Sequence, residues 1–324
     1  MRAISSTVAM LLFIFCLTLG TTRAQQSASP STSNQPTQTQ ARLVQVLTQF
    51  LTHTEEYETA FKNLTAEETK LIEVYNATGK LIRQRSIISD LVVYQSLRGD
   101  SEVTEYRNAR VVDGKPIAKY EEKALKLLTA AAKANSLKKE LEQINEENRK
   151  YEFDVHFSGF TIYQGRPFKK WGSLFQAQII GQERIAGHDT VVLRYQQTGL
   201  IPGNKFRFPR PGEFAEQQAL QRGRLWLDQR TCQLWREEKE WTIVHKAAQE
   251  PLVFSRQEMT YAPSSFGILT PQHFVFSLFS HFSHPRNEPP ALLLSERMTY
   301  TYGDFKRFDV SGEESDKKTV PVKK

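Results

Sequence analysis

Three histidines stand close together in the last quarter of the chain: His273, His281 and His284, with Pro285 beside them. Imidazoles gathered in this way can ligate zinc. The spacing argues against it here, because His273 and His281 lie in a stretch that alternates like a strand, which sets them tens of ångströms apart. No flanking carboxylates complete a ligand set, so they read as ordinary strand and loop histidines. Nucleophilic catalysis fares no better, since no Gly-x-Ser-x-Gly elbow is present. Cys232 is the one cysteine beyond the first twenty residues. It has no Cys-x-x-Cys partner and reads as a buried, chemically quiet thiol. Glu237 and Glu238 are adjacent, and a strand sends neighbours to opposite faces, which is wrong for paired acid–base work. Gly-x-Gly-x-x-Gly and phosphate-loop patterns are absent. The expectation is a protein that is not an enzyme, with no metal and no cofactor.

A different chemistry is written in two Pro-bearing stretches. "RPFKKWG" carries Arg166, Lys169, Lys170 and Trp171, and "KFRFPRP" carries Lys205, Phe206, Arg207, Phe208 and Arg210. Basic and aromatic residues together suit an anionic membrane surface or lipid head groups. Lys169, Lys170, Trp171, Arg207 and Arg210 are the expected contacts. Single-stranded nucleic acid would accept the same side chains, but an exported protein seldom meets it, so no nucleic-acid partner is expected. The plainer alternative is a pair of solvated loops.

Export is read from the N-terminus. Arg2 supplies the charge of an n-region, Ala9 to Leu19 (AMLLFIFCLTL) an apolar h-region too short to span a bilayer, and Thr22-Arg23-Ala24 a cleavage site. Phe15 before Cys16 does not suit lipidation. Residues 1–24 are thus expected to be a signal peptide, and a periplasmic or secreted protein to begin at Gln25. The 324 residues carry a formal charge of +7. With Cys232 alone after cleavage, no internal disulfide is possible, and the fold must rest on its core. Residues 25–41, rich in Gln, Ser, Pro and Thr, read as a spacer, and residues 312–324 as a charged tail. A single domain over 42–311 lies between them.

The elements that position these residues follow from periodicity. Arg42 to Tyr57 places Leu43, Val46, Leu47, Phe50 and Leu51 at helical spacing, and Ile117 to Arg149 does so over a longer run. The longer run is either one packed face opposite a solvated one or a coiled-coil surface for a partner. Most of the remainder alternates. Thr69–Tyr75 and Leu81–Ile88 flank Asn76-Ala77-Thr78-Gly79; Ile179–Ile185 and Thr190–Gln196 flank Ala186-Gly187-His188-Asp189. Arg224–Leu227 and a strand from Cys232 to Glu240 flank Asp228-Gln229-Arg230-Thr231. Each reads as a hairpin. Gln257–Tyr261, His273–Phe282 and Leu294–Tyr302 complete the set. The fold class is mainly β with helices (α+β): a curved antiparallel sheet or incomplete β-barrel with a long helix packed on it.

The stretch "GRLWLDQRTCQLWREEKEW" (223–241) holds three of the four tryptophans and reads chiefly as cross-strand packing. Its Gly-x-Leu-Trp-Leu-Asp strand and turn, followed by a strand carrying Arg and Glu, resembles a module of the periplasmic lipoprotein-carrier and outer-membrane lipoprotein-sorting superfamily. Segments 67–90, 105–117, 179–199, 222–228 and 265–274 also resemble, in order, a group of uncharacterised secreted bacterial proteins. The resemblance implies an incomplete barrel with a helix against its concave face, and a cavity for an acyl chain. The loop "SGFTIYQGRPF" (158–168) departs from that group's Arg-Thr-(Leu/Ile)-Asn pattern. The cavity wall is expected to be aromatic, with Trp226, Trp241, Phe274 and Phe276 as candidates. The partners implied are acyl chains or a lipoprotein, with peripheral membrane contact. The alternative is a structural protein that docks an envelope protein through its sheet edge or long helix.

Overall fold

A computed structural model describes residues 38–95, 103–118, 146, 151–153, 168, 172–199, 201, 205–206, 217–243, 251–282 and 291–307. One helix, α1 (Gln38–Ala60), opens the described chain. Its buried residues Val46, Phe50, Thr54 and Tyr57 step by three or four, the spacing that puts them on one stripe. It begins four residues before the expected Arg42 start, inside the region read as spacer, and ends three beyond Tyr57. The expected Ile117–Arg149 helix lies outside the described residues apart from Ile117, Ala118 and Glu146, as do the signal region and the C-terminal tail.

The strands are β1 (Leu64–Tyr75), β2 (Leu81–Gln95), β3 (Val103–Val112), β4 (Lys115–Pro116), β5 (Phe175–Ile185), β6 (His188–Gln197), β7 (Lys205–Phe206) and β8 (Gln217–Asp228). They continue with β9 (Leu234–Ile243), β10 (Leu252–Pro263), β11 (Leu269–Phe282), β12 (Ala291–Tyr302) and β13 (Lys306–Arg307). The expected hairpins are present, and their turns explain their sequences. Asn76 Oδ1 accepts from the backbone N–H of Thr78 and Lys80, and Gly79 takes φ 77°. Ala186 and Gly187 both have positive φ, 49° and 85°, the two-residue turn whose twist matches that of its strands. This turn is two residues shorter than expected, since His188 and Asp189 already belong to β6. In the third hairpin, Asp228 Oδ1 caps the backbone N–H of Arg230 and Thr231. Cys232 sits at φ 57°, so it lies in the turn, not on the strand expected to start there.

All ladders are antiparallel, and the sheet is one large path in the order β4-β3-β2-β1-β12-β11-β10-β9-β8-β6-β5, with β13 on β1 and β7 on β8. Among the described residues its ends, β4 and β5, do not pair with each other, so the sheet is open and not closed into a barrel. The main core gathers residues from α1 and from strands at both ends of this path, including Phe50, Tyr57, Leu64, Ile72, Leu91, Leu193, Leu225, Leu227, Phe274 and Tyr300. Tyr57 meets Tyr261 of β10 edge to face, with ring centroids 6.5 Å apart.

Candidate functional site

The two faces of the sheet differ in kind. Along β8, Leu225 and Leu227 enter the core, so the alternate residues Arg224 and Trp226 stand on the outer face. There Arg224 pairs with Glu238, and Arg222 and Arg256 both pair with Glu240. Burial pushes the Glu240 carboxyl up, but the two guanidiniums more than offset it and hold the group below its usual range. Trp226 is only 1% exposed in this charged ladder. Its Nε1 donates to Glu183 at 2.7 Å, and the guanidiniums of Arg224 and Arg236 lie 4.9 and 4.8 Å from its ring, as cation–π partners do.

The inner face is apolar over most of its width, and two polar features interrupt it. The first is a buried ion cluster. Arg107 of β3 donates through Nε to both carboxylate oxygens of Glu68 on β1, each at 2.8 Å, and through a terminal nitrogen to Glu105 at 3.1 Å. Lys70 pairs with Glu152 and lies 4.9 Å from the Tyr300 ring. Burial alone would lower the Arg107 pKa; Glu68 and Glu105 raise it well above its ordinary value, so the guanidinium stays charged. Burial raises the phenols of Tyr300 and Tyr302 well above the usual range. The Arg107–Glu68 pair links β3 to β1 across the intervening β2.

The second feature is a polar band across β6, β8, β9 and β10. Ladder pairing sets Tyr195, Gly223, Lys239, Gln257 and Phe276 in one row. Glu237 and Gln221 flank that row on the same face, and Lys239 Nζ reaches Glu237 Oε1 at 3.1 Å. Gly223 makes room for Tyr195: a β-carbon on it would stand 2.6 Å from the phenol oxygen. Tyr195, 1% exposed, and Gln221, 4% exposed, each bury an oxygen that has no hydrogen-bond partner among the described residues. An unmade bond of this kind costs about 1–3 kcal/mol. Burial, and after it the charge of Glu237, raises the Tyr195 phenol well above its usual range. Beyond the band a small second apolar cluster forms from Ala219, Ile243 and Phe254, with Trp241 and Leu252 against it.

The four expected wall residues therefore do not come together. Phe274 and Phe276 join the main core; Trp241 shares their face but packs with the second cluster; Trp226 projects from the opposite face. The reason is the strand period, which sends Trp226 away from Leu225 and Leu227. Phe168 is buried in the core beside Phe175 and Tyr195, whereas Lys169, Lys170, Trp171, Arg207 and Arg210 lie outside the described residues. Glu237 and Glu238 do point to opposite faces. Cys232 is 2% exposed and its Sγ donates to Gln49 of α1 at 3.0 Å. Burial, with the charge of Asp228, raises its thiol pKa. The ion cluster and the polar band were not anticipated, although the inward phase of "VTEYRNARVV" and "LWREEKEWTI" contains them. Among the described residues no three His, Cys, Asp or Glu side chains are grouped to hold a metal.

No protein-family model matches the chain, and no curated protein matches it. Among solved structures it is similar to a DUF1329 family protein from Desulfovibrio piger, at 11% identity and a TM-score of 0.34, over 83% of this chain and 93% of that one. It is also similar to an outer membrane lipoprotein-sorting protein domain from Vibrio parahaemolyticus, at 9% identity and a TM-score of 0.32, over 84% and 94% of the two chains. A LolA superfamily protein from Nitrosomonas europaea is similar at 12% identity and a TM-score of 0.28, over 82% of this chain and 94% of that one.

Proposed function

We propose that this chain is an exported binding protein of the bacterial cell envelope that carries an acyl chain, either of a lipid or of a lipoprotein, on the inner face of its sheet. The observation that carries the reading is the combination of an open sheet with an aromatic inner face. Phe274 and Phe276 stand at the middle of that face, on β11, and the sheet ends at β4 and β5 without closing. A closed barrel must break ladder hydrogen bonds to widen; an open sheet can splay and keep them. Buried side chains of α1 and of the strands form one cluster on the inner face, so a bound chain would take the place of some of them. Lys169, Lys170, Trp171, Arg207 and Arg210 would meet anionic head groups at the membrane surface.

Uptake of a fluorescent fatty acid tests this reading. Wild-type protein should bind it, and Phe276→Asn should abolish binding with little salt dependence, because the lost contact is apolar. Native mass spectrometry of protein purified from its own envelope fraction should show a co-purifying lipid. Failure of both experiments ends the carrier reading.

A second reading rests on the sheet edge. β5 is the last strand of the path, most of its residues are exposed, and Ile180 is 38% exposed. An envelope protein that adds a strand to this edge would use its backbone groups for affinity.

A further inference from the structure

The polar band has a composition that the core does not need. Gln221 Oε1 is an acceptor, and the Tyr195 hydroxyl can donate or accept; both are buried and without partners among the described residues. Lys239 and Glu237 lie beside them and neutralise each other. Lys239, Gln257 and Trp241 remain partly exposed, so the band is reached from solvent, and it separates the apolar cluster that holds Phe274 and Phe276 from the one that holds Ile243 and Phe254. From this juxtaposition of Tyr195, Gln221, Glu237 and Lys239 with Phe274 and Phe276, we infer a head-group site for a single-chain lipid whose head is uncharged and carries a hydroxyl or amide.

The chemistry follows from what each group lacks. Gln221 Oε1 needs a donor, which an ester or an ether cannot supply and a hydroxyl or a primary amide can. The Tyr195 hydroxyl is answered by the same kind of head. A free carboxylate or a phosphate would be drawn to Lys239 but would meet Glu237 within the same ion pair, in surroundings that screen charge poorly. The chain of such a lipid runs along Phe274 and Phe276. This inference rests on the acyl-carrier reading and names the head that reading leaves open. The basic residues beyond the described segments would attract the membrane; they do not choose the head.

Competition against a bound fluorescent fatty acid, with the full chain, tests it with three probes of one chain length: monopalmitoylglycerol, methyl palmitate and palmitate. Monopalmitoylglycerol should compete about tenfold better than methyl palmitate, the worth of one buried hydrogen bond, and better than palmitate. Gln221→Leu should remove most of that advantage and leave methyl palmitate, which has no donor to offer, unchanged, which also shows that the variant remains folded. Glu237→Gln should leave Lys239 unopposed and improve palmitate. Equal competition by all three probes, or variants that shift all three alike, overturns the head-group site while leaving the carrier reading in place. If the reporter and all probes fail to bind wild-type protein, this inference falls, and the carrier reading falls with it when no lipid co-purifies either.

Discussion

Tyr195 lies across the α-carbon of Gly223, its partner on the neighbouring strand. A β-carbon at Gly223 would stand 2.6 Å from the Tyr195 hydroxyl oxygen and 2.0 Å from the backbone oxygen of Glu238. The second contact is with backbone, which cannot swing aside. Gly223→Ala should therefore destabilise the protein by about 3 kcal/mol, at the upper end for overpacking, read as a lowered midpoint in urea denaturation. The accompanying Tyr195→Ala should recover little, because the Glu238 contact remains.

The Arg107–Glu68 pair gives a different signature. Arg107→Met alone leaves the Glu68 carboxylate buried without the Nε–H that its two oxygens share and should cost about 3–5 kcal/mol. Replacing Arg107 and Glu68 together with apolar residues should cost much less than the two single changes summed. A double-mutant cycle in urea measures the difference, and additive losses would contradict the coupling.

The buried tyrosines predict alkaline behaviour. Burial raises Tyr57, Tyr195, Tyr300 and Tyr302 well above the ordinary phenol value, and burial followed by the charges of Tyr94 and Asp90 raises Tyr106 to about 12. A folded pKa above the unfolded one means that the native state holds its protons longer. The resulting stabilisation is complete below about pH 10, the unfolded phenol value, and is lost as pH rises from there through the folded values. Ultraviolet titration should show these phenolates appearing together with loss of structure; early, independent ionisation would contradict the burial.

Cys232 should be inert in the native state. Its thiol is buried, hydrogen-bonded to Gln49 and raised in pKa, so a thiol-labelling reagent should react only after denaturation. Fast native labelling would place the turn in a different state.

The basic residues outside the described segments supply a prediction about membranes. Changing Lys169, Lys170, Arg207 and Arg210 to Ser should weaken binding to anionic liposomes by about 1 kcal/mol per charge at low salt. Added salt should mimic the substitutions, because the attraction is screened. A salt-independent affinity would remove these residues from any head-group role.

Alternation made most of the sheet legible, since β6, β8, β10, β11 and β12 each carry large apolar residues two places apart, as at Leu193 and Tyr195, Leu225 and Leu227, Met259 and Tyr261, Phe274 and Phe276, and Met298 and Tyr300. β3 escaped because its inward residues are Glu105, Arg107 and Ala109. A pattern that equates charge with solvent reads such a strand as surface, and only Glu68, on β1 across the intervening β2, reveals the burial. The same inversion hid Glu237 and Lys239. Trp226 misled in the opposite sense: its size suggested the interior, but two arginines and Glu183 bury it on the outer face. Gly223 was visible within the quoted motif, and its reason, a ring on another strand, was not.

The seam between β1 and β12 ties residues 64–75 to residues 291–302. During synthesis the β5–β6 and β8–β9 hairpins and the β9–β10–β11 meander can assemble as they emerge, from contacts near in sequence. The β4-β3-β2-β1 block has to wait for nearly the whole chain before its open side finds β12. Until then the inward side of β1, with Ile72 and the charged Glu68 and Lys70, has no β12 neighbour. Non-local pairing of this kind slows folding and leaves strand edges open to other chains. Removing residues 291–307 would therefore leave two half-sheets with no strand to join them, and the exposed flank of β1 would be the first place where such a fragment aggregates.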